Sequence, residues 1–238
     1  VVNGVSGQVN IPRRTALSEP EKPREFSPPA HDISPRRVMA YLIKTRGIDP
    51  EIVKAMIQQK MIAEDSVHHN CLFFGRDENG VIRSCAIRGS TEVKFRGEAP
   101  GGDKSCTFAM VGHNDVLRLF ESPIDAMSHA TFTKLLGKDW TADHRLSVNG
   151  SGNYESIKRY LANHTEIKSV WFCYDSDQAG RDGSEASSSR IFEDFPGREL
   201  SVMFCSPVKN KDWNEALQLY RVLESHGVTV REFLAPTE

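Results

Sequence analysis

The spacing of apolar residues changes character twice along this chain. Residues 1–33 contain five prolines and show no sustained apolar period, which is typical of an extended linker or tail. In residues 34–112, helix-start signals occur at Ser34-Pro35 and Asp49-Pro50, and two short apolar runs then flank Asn79-Gly80. This stretch therefore predicts a small α+β subdomain of two helices and a hairpin with a type I′ turn.

Residues 113–238 alternate between apolar runs and amphipathic segments. The pattern predicts strands over 115–120, 145–149, 168–174 and 200–205, and helices over 123–136, 154–163, 180–192 and 212–225. The apolar runs are nearly continuous, as in strands covered on both faces, so an α/β domain with a parallel sheet flanked by helices is expected. In such sheets ligands bind at the carboxyl ends of the strands.

Composition and charge narrow the classes of function. Apolar residues make up 39% of the chain and charged residues 26%, which indicates a folded protein, and no apolar run approaches the ~20 residues that cross a bilayer. Residues 1–112 carry 16 Lys and Arg against 13 Asp and Glu, whereas residues 113–238 carry 14 against 19. With a pI near 6.5, strong non-specific binding to duplex DNA is not expected, so local basic patches must contact any nucleic acid.

The cysteines indicate a reducing compartment. The chain has five of them, an odd number, widely spaced and in apolar surroundings, so we expect buried free thiols in the cytoplasm. No CxxC pair is present, and we expect no zinc site within this chain. The chain starts at Val1 with neither an initiator Met nor a signal-peptide pattern, and we expect it to be part of a longer protein.

Three acidic residues directly follow predicted strands of the second half. Glu121 follows the strand over 115–120, and Asp175 and Asp177 follow the strand over 168–174. Because parallel strands end at the same edge of a sheet, we expect these carboxylates to converge. Crowded carboxylates repel one another unless a cation lies between them, and Mg²⁺ (or Mn²⁺) is the expected ion.

Each of these motifs also has a simpler explanation. An Asp-x-Asp pair after a strand is often only a solvated turn, and a calcium loop is excluded because Ala179 and Ala186 stand where ligands are needed. Gly150-Ser151-Gly152 lacks the third glycine of a dinucleotide-binding loop. Asp212 and Glu215 form a D-x-x-E pattern that a helix cap explains as well as a metal site does.

In combination, three segments resemble the Toprim domain that bacterial primases, topoisomerases and some nucleases share. They are FESPIDA at 120–126, YDSDQAGRD at 174–182 and KDWNE at 211–215, and the second is especially similar to the primase form. The resemblance covers about half of the chain. It implies that Glu121 is the catalytic acid/base and that Asp175 and Asp177 are metal-binding catalytic residues, with Asp212 or Glu215 supporting a second ion.

The first half resembles the subdomain that precedes Toprim in primases, and more closely its shortened relative in bacterial mobile-element proteins. The similar segments are YLIKTRGIDPEIV, RDENGVI and the stretches around positions 94–96 and 103–105. Lys and Arg beside an acidic metal cluster are what a polyphosphate substrate requires. The resemblance implies these nucleotide- or nucleic-acid-binding residues: Arg88, Lys94, Arg96, Lys104, Arg181 and Lys211.

The chain departs from the primase pattern at identifiable positions. Ser176 stands between the two aspartates where glycine is usual, and Ser122-Pro123 follows the glutamate where glycine and an aromatic residue are common. The zinc-binding module with which primases start primers is absent from these residues. De novo priming by this chain alone is therefore not expected.

The resemblance implies a metal-dependent, primase-like nucleotidyltransferase that acts on single-stranded DNA in the replication of a mobile element. Nucleoside triphosphates and a DNA template are the expected partners, a helicase is a further candidate, and no membrane partner is expected. Two alternatives stay open, a Toprim-type nuclease that cleaves DNA or RNA and a non-catalytic module that binds nucleic acid. Topoisomerase activity is not expected, since it needs a tyrosine nucleophile on a separate domain.

Overall fold

Two five-stranded sheets organise the chain in the computed structural model, which describes residues 25–32, 34–91, 95–207 and 209–235. The front part contains β1 (His31–Asp32), α1 (Arg36–Ala40), a π-helical turn (Tyr41–Thr45), α2 (Pro50–Gln58), β2 (Ile62–Asp65), β3 (Cys71–Arg76), β4 (Ile82–Arg88) and β5 (Arg96–Glu98). The back part contains β6 (Ala109–Met110), β7 (Val116–Phe120), α3 (Pro123–Leu135), β8 (His144–Ser147), α4 (Tyr154–Asn163), β9 (Ser169–Phe172), α5 (Gln178–Asp194), β10 (Ser201–Phe204), α6 (Trp213–Glu224) and α7 (Val230–Leu234).

The two sheets differ in strand direction. The front sheet has the order β1-β2-β3-β4-β5, and its neighbouring strands are all antiparallel. The back sheet has the order β10-β9-β7-β8-β6, in which only the short β6 is antiparallel to its neighbour. The predicted fold class, a parallel sheet flanked by helices and preceded by a small α+β region, is confirmed.

Three helices of the back part begin immediately after the loops that follow the parallel strands, and each begins with the same kind of side-chain N-cap. The side chains of Ser122, Asp177 and Asp212 accept the backbone N–H groups three residues further on, at 3.3, 2.9 and 2.7 Å. Such caps satisfy N–H groups that the first turn of a helix leaves without partners. As a result, short polar side chains are held along the carboxyl edge of the back sheet.

The main hydrophobic core joins the front helices to the back sheet. Val38 and Leu42 from the front part are fully buried in the same cluster as Met127 on α3 and Leu217 on α6. A second cluster fills the other face of the back sheet, beneath α4 and α5. The two parts therefore pack against each other, and the groove described below lies where they meet.

Several short elements were not predicted. Strand β1 lies in the predicted tail, whose residues 1–24 and 33 are outside the described part of the chain, and β6 pairs with the back sheet although it falls in the predicted front subdomain. Strands β2 and β5 and helix α7 were also missed. Strands β1, β5 and β6 have two or three residues, too few to show an apolar period, and β2 and α7 each contain two charged residues that interrupt the apolar pattern.

The predicted type I′ turn at Asn79-Gly80 is wrong. Gly80 has φ of +77°, but Asn79 does not have the positive φ that this turn type requires. Five residues separate β3 from β4, and the Asp77 carboxylate accepts the N–H groups of Asn79 and Val81 at 3.0 and 2.9 Å. The side chain of Asp77 therefore organises a longer loop in place of a two-residue turn.

The burial of the cysteines was predicted from their apolar surroundings. Four of the five free cysteines are buried, as predicted, and Cys205 is half-buried. Among the helices of the described residues, none combines the length and the apolar character that crossing a bilayer would require.

Gly75 on β3 offers a test of how the two parts pack. A Cβ atom there would lie 2.2 Å from the backbone oxygen of Cys106, in the segment that leads into the back sheet. We expect Gly75→Ala to lower the free energy of unfolding by about 1–3 kcal/mol, since backbone must move to admit the methyl group. Gly197→Ala is the control, because no atom lies within 4 Å of its Cβ position. Equal denaturation midpoints for the two variants would contradict this packing.

Candidate functional site

Two predicted catalytic carboxylates lie side by side at the carboxyl edge of the back sheet. Glu121 follows β7 and Asp175 lies just beyond β9, and these strands are parallel neighbours. The backbone N–H of Asp175 donates to Glu121 Oε1 at 3.2 Å. Both side chains are half-buried. The central pair of strands therefore brings together two residues that are 54 positions apart in the chain.

Asp177, the third predicted residue, points toward Lys211. Lys211 Nζ lies 3.0 Å from Asp177 Oδ2 and 3.8 Å from Asp175 Oδ2. The hydrogen bond from Gly180 N–H, followed by the pairing with Lys211, lowers the pKa of Asp177. Lys211 thus neutralises part of the negative charge that the two aspartates bring to this edge.

A fourth carboxylate, which was not among the predicted site residues, lies beneath the same edge. Asp125 is buried on the first turn of α3, accepts the hydroxyl of Ser122, and accepts the backbone N–H of Asn214 at 3.0 Å. In the sequence, Asp125 lies four residues after Glu121, in the first turn of the predicted helix. Asp212 caps α6 close by and lines the groove.

The carboxylates of this edge are crowded and shielded from water. Burial, followed by the charges of Glu121, Asp125 and Asp212, raises the pKa of Asp175 to about 8. Burial, followed by the charge of Asp212, raises the pKa of Asp125 to about 7, and burial also raises the pKa of Glu121. A bound cation would relieve both the desolvation and the repulsion.

The donor set suits a hard divalent ion. Only carboxylate oxygens are offered at this edge, which is the ligand type that Mg²⁺ and Mn²⁺ prefer. Within the described residues, the groups whose ligand atoms lie within 4.8 Å of one another are elsewhere, at Asp32/Glu64/His69 and His144/His164/Glu166. The acidic edge is therefore more open than a closed metal cage, as expected for Mg²⁺, which keeps waters and shares its coordination with substrate phosphates.

A groove of about 800 Å³ runs between the front sheet and this edge. Glu121, Asp175 and Asp212 are among its lining residues on the acidic side. The opposite wall carries Arg88 and Arg96, which are direct cross-strand partners on β4 and β5. The remaining basic residues that line it are Lys104, Lys211 and Arg46.

Arg46 was not among the predicted site residues, and two neighbours hold it in the groove. Its guanidinium donates to the hydroxyl of Tyr41 at 2.8 Å and to Asn214 Oδ1 at 3.0 Å. The Asn214 side chain in turn donates to the backbone oxygen of Arg46 and to the Ser128 hydroxyl, both at 2.9 Å. Buried Asn214 therefore connects the front helices to the two helices that carry Asp125 and Asp212.

Three other predicted residues, among those that the structure describes, do not line the groove: Asp177, Arg181 and Glu215. Arg181 lies on the outside of α5 and donates to Ser176 O and Gln178 Oε1. Glu215 is exposed on α6, where its backbone N–H completes the helix cap. Lys94 lies outside the described residues.

Gly180, the first glycine of the YDSDQAGRDG segment, permits the close approach of α5 to the end of β9. A Cβ atom on Gly180 would lie 2.2 Å from the backbone oxygen of Asp175 and 3.1 Å from Glu121 Oε1. Any side chain at this position would therefore displace the loop that carries Asp175. The absence of a side chain at Gly180 is thus a steric requirement for the observed position of the Asp175 carboxylate.

Comparisons with protein families divide the chain into two consecutive segments. A family described as "Protein of unknown function (DUF3991)" matches residues 40–114, and a family described as "Toprim-like" matches residues 118–217. The acidic edge therefore lies in the segment that matches the Toprim-like family, whereas β6 of the back sheet lies in the segment before it.

One curated relative is an uncharacterized protein of Bacillus anthracis, pXO2-78. It is 28% identical over 206 residues, which cover 75% of this chain and 56% of the relative. The chain thus spans little more than half of the length of that protein.

Solved structures with the same fold are primase cores. The primase fragment of the bacteriophage T7 primase-helicase protein has a TM-score of 0.54 at 17% identity, covering 77% of this chain and 71% of its own. The Aquifex aeolicus primase (zinc-binding and RNA polymerase domains) has a TM-score of 0.53 at 15% identity, covering 81% and 55%. The DnaG primase catalytic domain bound to ssDNA has a TM-score of 0.50 at 16% identity, covering 87% and 68%. The chain therefore carries a Toprim domain that resembles the primase core in fold.

The raised pKa of Asp175 predicts a pH-dependent stability of the metal-free protein. Between about pH 4 and pH 8 the unfolded carboxyl is ionised while the folded one retains its proton, so this group lowers the free energy of unfolding as pH rises. We expect Asp175→Asn to raise the metal-free Tm at pH 8 and to change it less at pH 5. Asp182→Asn, an exposed acid on α5, is the control and should leave both values unchanged. If Asp175→Asn lowers Tm at pH 8, the carboxylates are not under electrostatic strain.

Proposed function

We propose that the Toprim-like domain and the front sheet together form a metal-dependent, primase-like nucleotidyltransferase that acts on single-stranded DNA. The observation that carries this proposal is the groove itself, in which Glu121, Asp175 and Asp212 face a wall with paired arginines. A groove with one basic wall and one acidic wall suits a phosphate-rich substrate. The cations of one wall and the metal-binding acids of the other can contact the same substrate molecule. The fold that the chain shares with primase cores is consistent with this chemistry.

Asp175 and Asp212 would hold Mg²⁺ or Mn²⁺, with Asp177 as a further ligand. The ion would supply charge neutralisation at the phosphate and favour in-line displacement. Lys211 lies between Asp175 and Asp177, so a substrate phosphate entering here meets an ammonium group as well as the metal-binding edge. The negative charge of these carboxylates would be compensated by the bound cation. The groove is open enough to admit the substrate beside the ion.

Glu121 is the best placed group to move a proton. Its burial raises its pKa toward the range in which a carboxylate accepts a proton efficiently from a nucleophilic hydroxyl. Its Oε1 atom accepts the backbone N–H of Asp175, which orients the carboxylate toward the groove. We therefore assign Glu121 the role of acid/base, and a 3′-hydroxyl is the nucleophile that a nucleotidyltransferase requires.

The basic wall would position the template or the triphosphate. Arg88 and Arg96 are adjacent across two strands, so their guanidinium groups can contact successive phosphates, and Lys104 extends the same wall. Contacts of this type give affinity without sequence readout. A T7 structure of the same fold belongs to a primase-helicase protein, and we propose that a helicase likewise brings template to this groove.

Nucleotide incorporation on a primed single-stranded template tests the catalytic assignment. The full-length protein, with Mg²⁺ or Mn²⁺, should extend the primer, and Glu121→Gln should reduce the rate by about 100-fold or more, as loss of a general base does. Asp175→Asn should do the same through loss of the metal, whereas Asp182→Asn should keep the wild-type rate. Metal-dependent cutting of the template without synthesis would instead identify a nuclease. Full biological effect in both groove variants would indicate a binding module.

Salt-dependent binding of single-stranded DNA tests the basic wall. Arg88→Ala and Arg96→Ala should each weaken binding for all sequences and reduce the slope of log K against log [salt] by about 0.7 per lost phosphate contact. Lys54→Ala, an exposed cation on α2 away from the groove, is the matched control. Equal slopes in the wild type and the arginine variants would place the nucleic acid elsewhere.

A further inference from the structure

The back sheet carries a second cluster of ligand-type side chains at the edge opposite the groove. His144 begins β8, His164 directly follows α4, and Glu166 lies in the loop that leads to β9. One ligand atom from each residue lies within 4.8 Å of the other two. Since β8 runs from His144 toward the groove edge, its length of four residues separates this cluster from the catalytic carboxylates by roughly 10 Å or more.

We propose that His144, His164 and Glu166 bind a divalent transition-metal ion, with Zn²⁺ as the occupant, in a structural site separate from the groove. Two imidazoles and one carboxylate form a donor set for Zn²⁺, whereas the oxygen-only edge of the groove suits Mg²⁺. The expectation of no zinc site came from the absence of CxxC pairs. A His-His-Glu set needs no cysteine, and its members become neighbours only in the folded chain.

Two distances within the cluster are close to those of a tetrahedral site. Zinc bonds of 2.0–2.1 Å place the ligand atoms of a tetrahedron about 3.3 Å apart. Glu166 Oε1 lies 2.9 Å from His164 Nδ1 and 3.8 Å from His144 Nε2. These values lie on either side of the tetrahedral spacing, so shifts of about half an ångström in exposed Glu166 would seat the ion.

A fourth donor is present on the backbone. The carbonyl oxygen of Asn114 lies 3.2 Å from His144 Nε2, close to the same tetrahedral spacing. This carbonyl belongs to the loop before β7, and so the ion would connect that loop to β8 and to the turn after α4. Glu166 is half exposed, which leaves solvent access for the ion, whereas the His144 side chain is 2% exposed.

Tyr160 supports both imidazoles in the orientation that a metal requires. Its hydroxyl lies 2.9 Å from His144 Nδ1, and its ring stacks on that of His164 with centroids 4.2 Å apart. When His144 Nε2 binds a metal, its proton resides on Nδ1, where the tyrosine oxygen accepts it. A partner of this kind on the second ring nitrogen is a regular feature of metal-binding histidines.

The other compact cluster, Asp32/Glu64/His69, has a different explanation. One Glu64 oxygen accepts the backbone N–H groups of Arg37 and Val38 at 2.9 and 3.2 Å, and the other contacts His69 at 2.9 Å. The Glu64 carboxylate is thus already used to start helix α1. At the His144 cluster, in contrast, the side-chain partners of the Glu166 carboxylate are the imidazoles of His164 and His144.

Without a metal, the same groups can satisfy one another by hydrogen bonds. In that arrangement His164 Nδ1 donates to Glu166, and His144 Nε2 donates to the Asn114 carbonyl. The two alternatives differ in one measurable respect, since only the metal site makes stability depend on the concentration of Zn²⁺.

Spectroscopic titration with Co²⁺ and thermal unfolding with Zn²⁺ test the proposal on chelator-treated, tag-free protein. The wild type should bind one Co²⁺ with the visible absorption of tetrahedral coordination, and Zn²⁺ should displace it. Saturating Zn²⁺ should raise Tm by about 5 °C or more. His164→Ala and Glu166→Gln should abolish both the tetrahedral absorption and the Zn²⁺-induced Tm shift.

Two controls separate this site from other histidines and from the groove. His226→Ala removes an exposed histidine after α6, and Asp175→Asn removes a groove carboxylate. Both should keep the Co²⁺ absorption and the Zn²⁺-induced shift. Glu166→Gln alters a half-exposed side chain, and its metal-free Tm should equal that of the metal-free wild type. The same Co²⁺ spectrum in wild type and Glu166→Gln, or no Zn²⁺-induced shift in the wild type, would overturn the proposal.

Discussion

The rest of the site depends on one constraint, which is the electrostatic repulsion among carboxylates held close together at one edge of the back sheet. Glu121 and Asp175 lie at the ends of neighbouring parallel strands, and Asp125 is buried one helical turn behind them. Left without a cation, these groups repel one another and lose hydration, which raises their pKa values. The strands, the helix caps and Lys211 together hold an arrangement that isolated side chains would avoid.

The surrounding structure supports this edge through rigid backbone contacts. Gly180 lets α5 approach the loop of Asp175, and the N-caps at Asp177 and Asp212 fix the starts of two helices. Asn214 ties α6 to α3 and to the front part through Arg46. The groove is therefore a joint product of both parts of the chain, which explains why its basic wall and its acidic wall come from different sheets.

Much of the fold followed from the sequence because the relevant signals are local. The four parallel strands and their helices were predicted from apolar runs and amphipathic segments, and the D-x-x-E pattern marked the helix cap at Asp212. The elements that were missed are short and gain stability only from partners distant in sequence, as β6 does from β8. The turn at Asn79 was predicted incorrectly because the Asp77 side chain outweighs the local dipeptide preference.

By itself, the sequence determined the α/β class, the acidic residues at strand ends and their resemblance to Toprim domains. Only the tertiary structure decided which residues line the groove. Asp125 and Arg46 line it although they were not predicted, whereas the predicted residues Arg181 and Glu215 do not. It also placed His144 beside His164 and Glu166. The physical reason is that a strand or a cap depends on near neighbours, whereas a cluster of charges or ligands depends on strand order and helix packing.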